Sequence, residues 1–164
     1  MKRLWVLIAL VGAAALVLSA CGGKKSAAEE NRTVQFGSTT FNDHGTKSVP
    51  KAGEIDLETD NFYFEPTFVS GTPGQKVTLK VENDSTTLHN FSVKAQNIDS
   101  DVQPKSDTEV TVTIPDSGVL LFFCKYHAGQ GMNGELLSGN AAPGDPSVSS
   151  VAPTGQSTSS GSSY

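Results

Sequence analysis

The chain has few side chains that form disulfides or bind soft metals: two Cys, two Met and three His among 164 residues. Cys21 directly follows an apolar N-terminal stretch and is considered with it. Cys124 is then the single thiol in the rest of the protein. A framework of internal disulfides is therefore excluded. In an oxidising compartment a lone thiol needs protection or a chemical use, so Cys124 is either an inert buried residue or a functional one.

Basic side chains are also scarce. The whole chain carries 12 Lys and Arg against 17 Asp and Glu, and Lys2 and Arg3 belong to the N-terminal leader. The remainder is therefore acidic and offers no basic patch that could neutralise phosphates, which excludes nucleic acid as a ligand. A protein partner with a basic surface is favoured instead.

Residues 1–20 are predicted to form a lipoprotein signal peptide. A positively charged start precedes an apolar run over 4–18, which is too short for a comfortable membrane span. The run leads into LSAC at 18–21, which resembles the lipobox of bacterial lipoproteins. That resemblance implies lipidation of Cys21, a membrane anchor through this N-terminal lipid, and an extracytoplasmic location on the periplasmic or outer face. A plain secretory signal or an uncleaved anchor is the alternative.

Residues 21–53 are polar and rich in small side chains, and they are predicted to be a linker between the lipid and a folded domain. Val34, Phe36 and Phe41 are apolar exceptions, which leave open that part of this linker packs on the domain. His44 lies in the same segment and is expected to be a solvated loop residue. If the segment folds back over the functional end of the domain, His44 could instead influence the site.

A single domain is predicted over 54–138. Apolar and polar residues alternate there in EIDLE from 54, QKVTLKVE from 75 and TEVTVTI from 108, with turn signals between them. Many short strands of this kind indicate an all-β antiparallel sandwich or barrel. In the following 26 residues, 139–164, 15 are Ser, Gly or Pro, which predicts a disordered tail.

Four residues that can bind soft metals lie in two of the predicted strands and in the loop that follows one of them. In LHNFSV, His89 alternates in phase with the apolar residues, and in VLLFFCKYH Cys124 does the same. If both strands are regular, both side chains point into one interior. His127 and Met132 follow in the same loop, at C-x2-H-x4-M spacing. Each residue alone has an ordinary explanation as a core or loop residue, but the combination predicts a metal site.

The donor types narrow the choice of metal. A thiolate and a thioether disfavour Mg, Ca and Mn, whereas two His, one Cys and a weak axial Met suit copper in a blue-copper site. Zinc could use the Cys and the two His, but it gains little from a thioether. Copper is therefore the predicted cofactor.

The segments TLHNF and FFCKYHAGQGMNGEL resemble the cupredoxin family, and the loop is most similar to those of plastocyanin and pseudoazurin. The resemblance implies a Greek-key β-sandwich of about eight strands that holds one type 1 copper. It implies His89, Cys124 and His127 as equatorial ligands and Met132 as the long axial ligand. It also implies that Asn90 ties its strand to the ligand loop, partly through a backbone N–H to the Cys sulfur.

The resemblance further implies an extracytoplasmic electron carrier that cycles between Cu(I) and Cu(II) and acts as a monomer. Its expected partners are redox proteins such as a cytochrome or a terminal oxidase. The alternative is a carrier that delivers or stores copper. No enzymatic activity is expected, because copper enzymes need further His ligands and a Cys-His hydrolase would need an orienting acid that the sequence does not offer. The sequence departs from plastocyanins at Lys125 and Tyr126, where those proteins usually have Ser or Thr and then Pro.

Overall fold

The computed structural model describes residues 32–145, and the predicted signal peptide, Cys21 and the tail beyond residue 145 lie outside them. The described residues form twelve strands and two short 3₁₀ turns at Lys94–Gln96 and Ala128–Gln130. The strands are β1 (Arg32–Phe36), β2 (Thr39–Asp43), β3 (Thr46–Ser48), β4 (Glu54–Asp60), β5 (Tyr63–Glu65), β6 (Phe68–Gly71), β7 (Lys76–Asn83), β8 (His89–Val93), β9 (Ile98–Val102), β10 (Ser106–Thr113), β11 (Val119–Phe123) and β12 (Asn133–Ser138).

Two sheets and a separate hairpin make up the fold. One sheet has the order β10-β7-β4-β5, the other has the order β3-β6-β12-β11-β8-β9, and β1 pairs with β2. The alternating segments form β4, β7 and β10; every second residue is buried along β4 and β7, and Val110 and Val112 are buried in β10. The predicted all-β sandwich is confirmed. The sandwich is mixed rather than antiparallel as predicted, because β4 pairs in parallel with β7, and β6 pairs in parallel with β12 and β3. It has more strands than the eight expected, because the first three strands precede the predicted domain and two later ones, β5 and β6, have only three and four residues.

The main core lies between the two sheets and leads to the predicted ligands. Phe64 packs edge-on against Phe91 and Phe122, with ring centroids 6.1 and 5.1 Å apart. Each fully buried Phe contributes roughly 1.5–3 kcal/mol of transfer free energy. Cys124 and Met132 belong to the same buried cluster. The packed aromatic core therefore supports the sulfur donors directly.

The predicted linker boundary is wrong over residues 32–48, which form β1, β2 and β3. Strand β3 pairs in parallel with β6, so this segment joins the larger sheet. Phe36 and Phe41 pack against Phe68 in a second apolar cluster, with ring centroids 6.3 and 5.8 Å from that residue. The apolar exceptions in an otherwise polar segment are thus the residues that attach it to the domain.

The first residues of the predicted tail also contact the domain. The Gly144 N–H donates to Glu135 Oε2 over 2.8 Å, and Ala141 packs against the second cluster. The folded part therefore extends to about residue 145. Within residues 32–145 there is no helix long and apolar enough to cross a membrane.

Candidate metal centre

Three of the predicted ligands meet at one end of the sandwich. His89 begins β8, Cys124 directly follows β11, and His127 lies in the loop between β11 and β12. One donor atom from each residue lies within 4.8 Å of the other two. The Cys124 Sγ is 3.4 Å from His127 Nδ1, and the rings of His89 and His127 are 5.1 Å apart. The structure thus brings one thiol and two imidazoles together, as the strand phases predicted.

His89 is completely buried, yet neither of its ring nitrogens has a hydrogen-bond partner. A neutral imidazole carries an N–H donor and an acceptor nitrogen, and leaving both unsatisfied in a core is costly. Burial, assisted by the neighbouring His127, lowers the pKa of His89 to about 4. At neutral pH the ring is therefore uncharged, and a neutral imidazole has a nitrogen lone pair that can bind a metal.

Cys124 is buried as well, and burial raises the pKa of its thiol. Backbone N–H groups of Tyr126, Asn90 and His127 oppose that effect by hydrogen bonding to the sulfur, which lowers the pKa. These amides favour the thiolate, whereas the apolar surroundings disfavour it unless a cation is present. The site is therefore suited to a thiolate that a bound cation stabilises.

Met132, the predicted axial ligand, is completely buried in the same apolar core as Cys124. Its backbone carbonyl accepts a hydrogen bond from the Cys124 N–H over 3.0 Å, and its own N–H donates to the His127 carbonyl over 3.3 Å. These two bonds close the ligand loop on itself. The loop therefore holds the Met132 backbone beside those of Cys124 and His127, the two other predicted ligands in it.

Comparison with known proteins agrees with this geometry. A family model for the cupredoxin-like domain matches residues 9–137. The chain belongs to that family. The fold and the His-Cys-His cluster of this cupredoxin fit one type 1 copper, because the donors are two imidazoles and a buried Cys sulfur.

The solved structures that resemble this cupredoxin include a domain of a copper exporter and two auracyanins. The metal-binding domain of the Cu(I)-exporting P-type ATPase CopA of Streptococcus pneumoniae D39 matches with a TM-score of 0.50 and 10% identity, over 57% of this chain and 95% of that one. Auracyanin from Roseiflexus castenholzii matches with a TM-score of 0.45 and 18% identity, over 53% and 97%. Auracyanin A, a "blue" copper protein from Chloroflexus aurantiacus, matches with a TM-score of 0.44 and 19% identity, over 58% and 100%. At these identities the likeness concerns the fold. No curated protein matches the chain in sequence.

Asn90 lies between its strand and the loop that carries the predicted ligands. Besides its backbone N–H to the Cys124 sulfur, its side-chain Oδ1 accepts a hydrogen bond from the Lys125 N–H over 3.3 Å. Its Nδ2 donates to Asp99 and Asp101 of β9 over 2.8 and 3.0 Å. One buried amide thus joins β8, β9 and the residue that follows the Cys ligand.

An outer layer of charged contacts, which the sequence did not predict, covers this amide. The Lys125 Nζ lies 2.8 Å from Asp99 Oδ1 and 2.9 Å from Asp101 Oδ1, and the Tyr126 hydroxyl contacts Asp101 over 3.0 Å. Hydrogen bonding to Lys125, with a further contribution from Asn90, lowers the pKa of both aspartates. Lys125 and Tyr126 are the two positions that depart from plastocyanins. The feature of the sequence that could have indicated these contacts is the alternation of Asp99 and Asp101 in IDSDV.

His127 is the ligand nearest the surface of this cupredoxin. It is only partly buried, and Phe62 packs on it with ring centroids 4.5 Å apart. Tyr126, which is 46% exposed, lies 6.2 Å from it, and the adjacent Gly129 is exposed. The imidazole therefore connects the buried cluster to a small, mostly uncharged patch of surface.

His44 does not join the cluster. Its ring stacks on Tyr63 at a centroid distance of 3.5 Å and an angle of 5°, and its Nδ1 lies 3.6 Å from Glu65 Oε2. Its backbone N–H donates to Thr67 Oγ1. His44 is therefore a packed residue next to β5 rather than a solvated loop residue.

Proposed function

We propose that this cupredoxin is an extracytoplasmic electron carrier. The observation that carries the proposal is the His89 ring, which is buried with both nitrogens unpaired beside a buried thiol. A buried imidazole without hydrogen-bond partners is costly, and a copper ion at the cluster would bind one His89 nitrogen and the Cys124 sulfur. Copper bound there would supply a one-electron couple between Cu(I) and Cu(II).

The scaffold suits such a couple because its donors are fixed before the metal binds. His89 is set by β8, Cys124 by the end of β11, and Met132 by hydrogen bonds within the loop. Ligands that keep one arrangement limit the reorganisation between the two oxidation states, although how far the protein imposes blue-copper geometry is debated. His127 is the group through which electrons would leave, since it lies closest to the surface.

The proposal extends to location and partners. An acylated Cys21 would hold the domain at the outer side of the cell membrane, where a cytochrome or terminal oxidase could reach it. The acidic balance of the chain favours a basic docking surface on that partner. Small and weakly apolar contact areas are typical of short-lived redox encounters between separate proteins, and a monomer would suffice.

The optical spectrum of the copper-loaded protein tests the proposal. With Cu(II) the protein should turn intensely blue through thiolate-to-copper charge transfer, and reduction should remove the colour. Cys124→Ser should abolish the colour, because the thiolate is lost. Met132→Leu should keep most of the colour and raise the reduction potential, because the weak axial donor is lost. A colourless or pale complex of the unaltered protein would refute the type 1 site.

A second measurement separates electron transfer from copper delivery. The reduced holoprotein is mixed with an oxidised cytochrome, and in parallel with a metal-free copper acceptor. Electron exchange with retention of copper is expected. Net loss of copper to the acceptor without oxidation of the remaining holoprotein would instead favour the delivery function.

A further inference from the structure

The N-terminal hairpin of β1 and β2 contacts the ligand loop on the side of Met132. The Asn42 N–H donates to the Gly131 carbonyl over 2.9 Å. Two residues earlier in β2, the Thr40 carbonyl accepts a hydrogen bond from Asn133 Nδ2 over 2.8 Å. The residues immediately before and after Met132 are therefore both bonded to one strand of the hairpin.

The Asn42 side chain adds a second set of contacts. Its Nδ2 donates to the Gln130 carbonyl and to the Phe62 carbonyl, each over 2.9 Å, and its Oδ1 accepts from Thr33 Oγ1 over 3.2 Å. Both amide hydrogens and the carbonyl oxygen are thus used. The approach is close: Gly131 has φ +92°, and a Cβ on it would lie 2.8 Å from the Asn42 amide atoms.

These contacts reach two of the four predicted ligands. Through Gly131, the strand limits how far Met132 can move from the cluster. Through the Phe62 carbonyl, it fixes the segment whose ring packs on His127 at 4.5 Å. The hairpin itself is held to the domain by the apolar cluster of Phe36, Phe41 and Phe68.

We propose that Asn42 is a positioning residue that holds the Met132 side of the ligand loop closed. This inference rests on the proposed copper site and adds the N-terminal hairpin to the structure that supports it. Loss of the Asn42 side chain would let the loop open and lengthen the contact between the thioether and the metal position. The reduction potential would then rise, as it should in Met132→Leu, because the axial ligand tunes the potential.

The test compares Asn42→Ala and Asn42→Asp with the unaltered protein in the full chain. Asn42→Asp keeps the shape but turns a carboxylate oxygen towards the Gln130 and Phe62 carbonyls, so it should loosen the loop at least as much. Gln35→Ala is the matched control, because Gln35 lies in the same hairpin and bonds only locally to Gly37. Circular dichroism confirms that each variant is folded.

The first readout uses metal-free protein. The Met132 N–H, which bonds to the His127 carbonyl, should exchange with solvent about tenfold faster in Asn42→Ala, and Gln35→Ala should match the unaltered protein. The second readout is the reduction potential of the copper form. The potential should rise in Asn42→Ala. Adding Met132→Leu to Asn42→Ala should raise the potential by less than Met132→Leu raises that of the unaltered protein.

Unchanged exchange and potential would overturn the inference. A lower melting temperature with an unchanged potential would also overturn it, since Asn42 would then be only a structural residue. If the unaltered protein does not turn blue, the proposed function fails. The exchange rates of the metal-free protein still decide whether Asn42 holds the loop.

Discussion

The two sides of the ligand loop are held in different ways. On the side of Cys124, a buried amide from Asn90 is covered by exposed ion pairs of Lys125 with Asp99 and Asp101. On the side of Met132, the contacts with β2 are hydrogen bonds between neutral backbone and amide groups. Exposed charges attract weakly in water and are screened by salt, whereas neutral hydrogen bonds depend mainly on geometry.

This difference suggests which contacts fix the ligands. The Asn90 amide is fully buried and directional, so it should position the Cys side in the same way as β2 positions the Met side. The ion pairs of Lys125 should contribute much less, although they are the more conspicuous contacts. Substitution of Asn90 is therefore expected to have a much larger effect than substitution of Lys125.

Among substitutions of the residues that support the ligand loop, Asn90→Ala is expected to have the largest effect. It removes a buried amide and leaves the Ser92 hydroxyl, which bonds to Asn90 Oδ1 over 2.6 Å, without that partner. The metal-free protein should lose about 2 kcal/mol of unfolding free energy in urea. Copper affinity, measured by competition with a chelator, should fall roughly 10–100-fold, as is usual for residues that support metal ligands.

Asn83→Ala provides a matched control for that loss. Asn83 is also buried, and its Nδ2 donates to the Thr87 and Val102 carbonyls rather than to the ligand loop. It should lose a similar amount of stability with little change in copper affinity. If both variants lose copper affinity equally, the effect of Asn90 is general destabilisation and not support of the site.

Lys125→Gln should have a smaller effect. The Lys125 side chain is 35% exposed, and pairs of this kind contribute less than about 1 kcal/mol. The difference in unfolding free energy should vanish in about 1 M salt, where the screening length is about 3 Å. Lys80→Gln, which breaks an exposed pair with Glu82, is the control away from the loop. If Lys125→Gln lost as much unfolding free energy as Asn90→Ala, the expected order of the two residues would be wrong.

The sequence predicted the ligand set because the information is local. Alternation along a strand placed His89 and Cys124 on the inner face, and the spacing to His127 and Met132 fitted one loop. Three of the four meet in one cluster, and Met132 is buried in the same core as Cys124, so its place as the axial ligand stays a prediction. Successive side chains of a strand point to opposite faces of the sheet. The face of a residue can therefore be inferred without knowing where the strand ends or which strands are its neighbours.

The supports of the site were not predictable in the same way. Asn42, Asp99 and Asp101 lie in polar segments with no strong apolar alternation, and their partners are distant in sequence. The Asn42 amide bonds to Gln130, 88 residues away. Such contacts follow from the packing of whole strands, and the Phe36–Phe41 pair that attaches the hairpin was only a weak hint in the sequence.

The outer face of the smaller sheet shows what happens where like charges lie opposite each other. In the strand register, Glu58 of β4 lies between Glu82 of β7 and Glu65 of β5, and Glu82 is followed by Asp107 of β10. Carboxylates therefore form one row across all four strands. Like charges directly opposite each other destabilise a sheet, so this row should oppose folding, in contrast to the ion pairs of Lys125.

Glu58→Gln is accordingly expected to stabilise the protein slightly. Burial, and then repulsion from Glu65 and other carboxylates, raises the pKa of Glu58. The folded state therefore binds the Glu58 proton more tightly than the unfolded state, and stability falls as pH rises from the unfolded pKa through the folded one. At pH 7 the variant should gain less than about 1 kcal/mol in urea unfolding, and the gain should disappear at pH 3, where the carboxyl is protonated in both states. Glu109→Gln, opposite Lys80 in register, should show no gain. A gain in Glu58→Gln that persists at pH 3 would mean that packing, and not charge, is the cause.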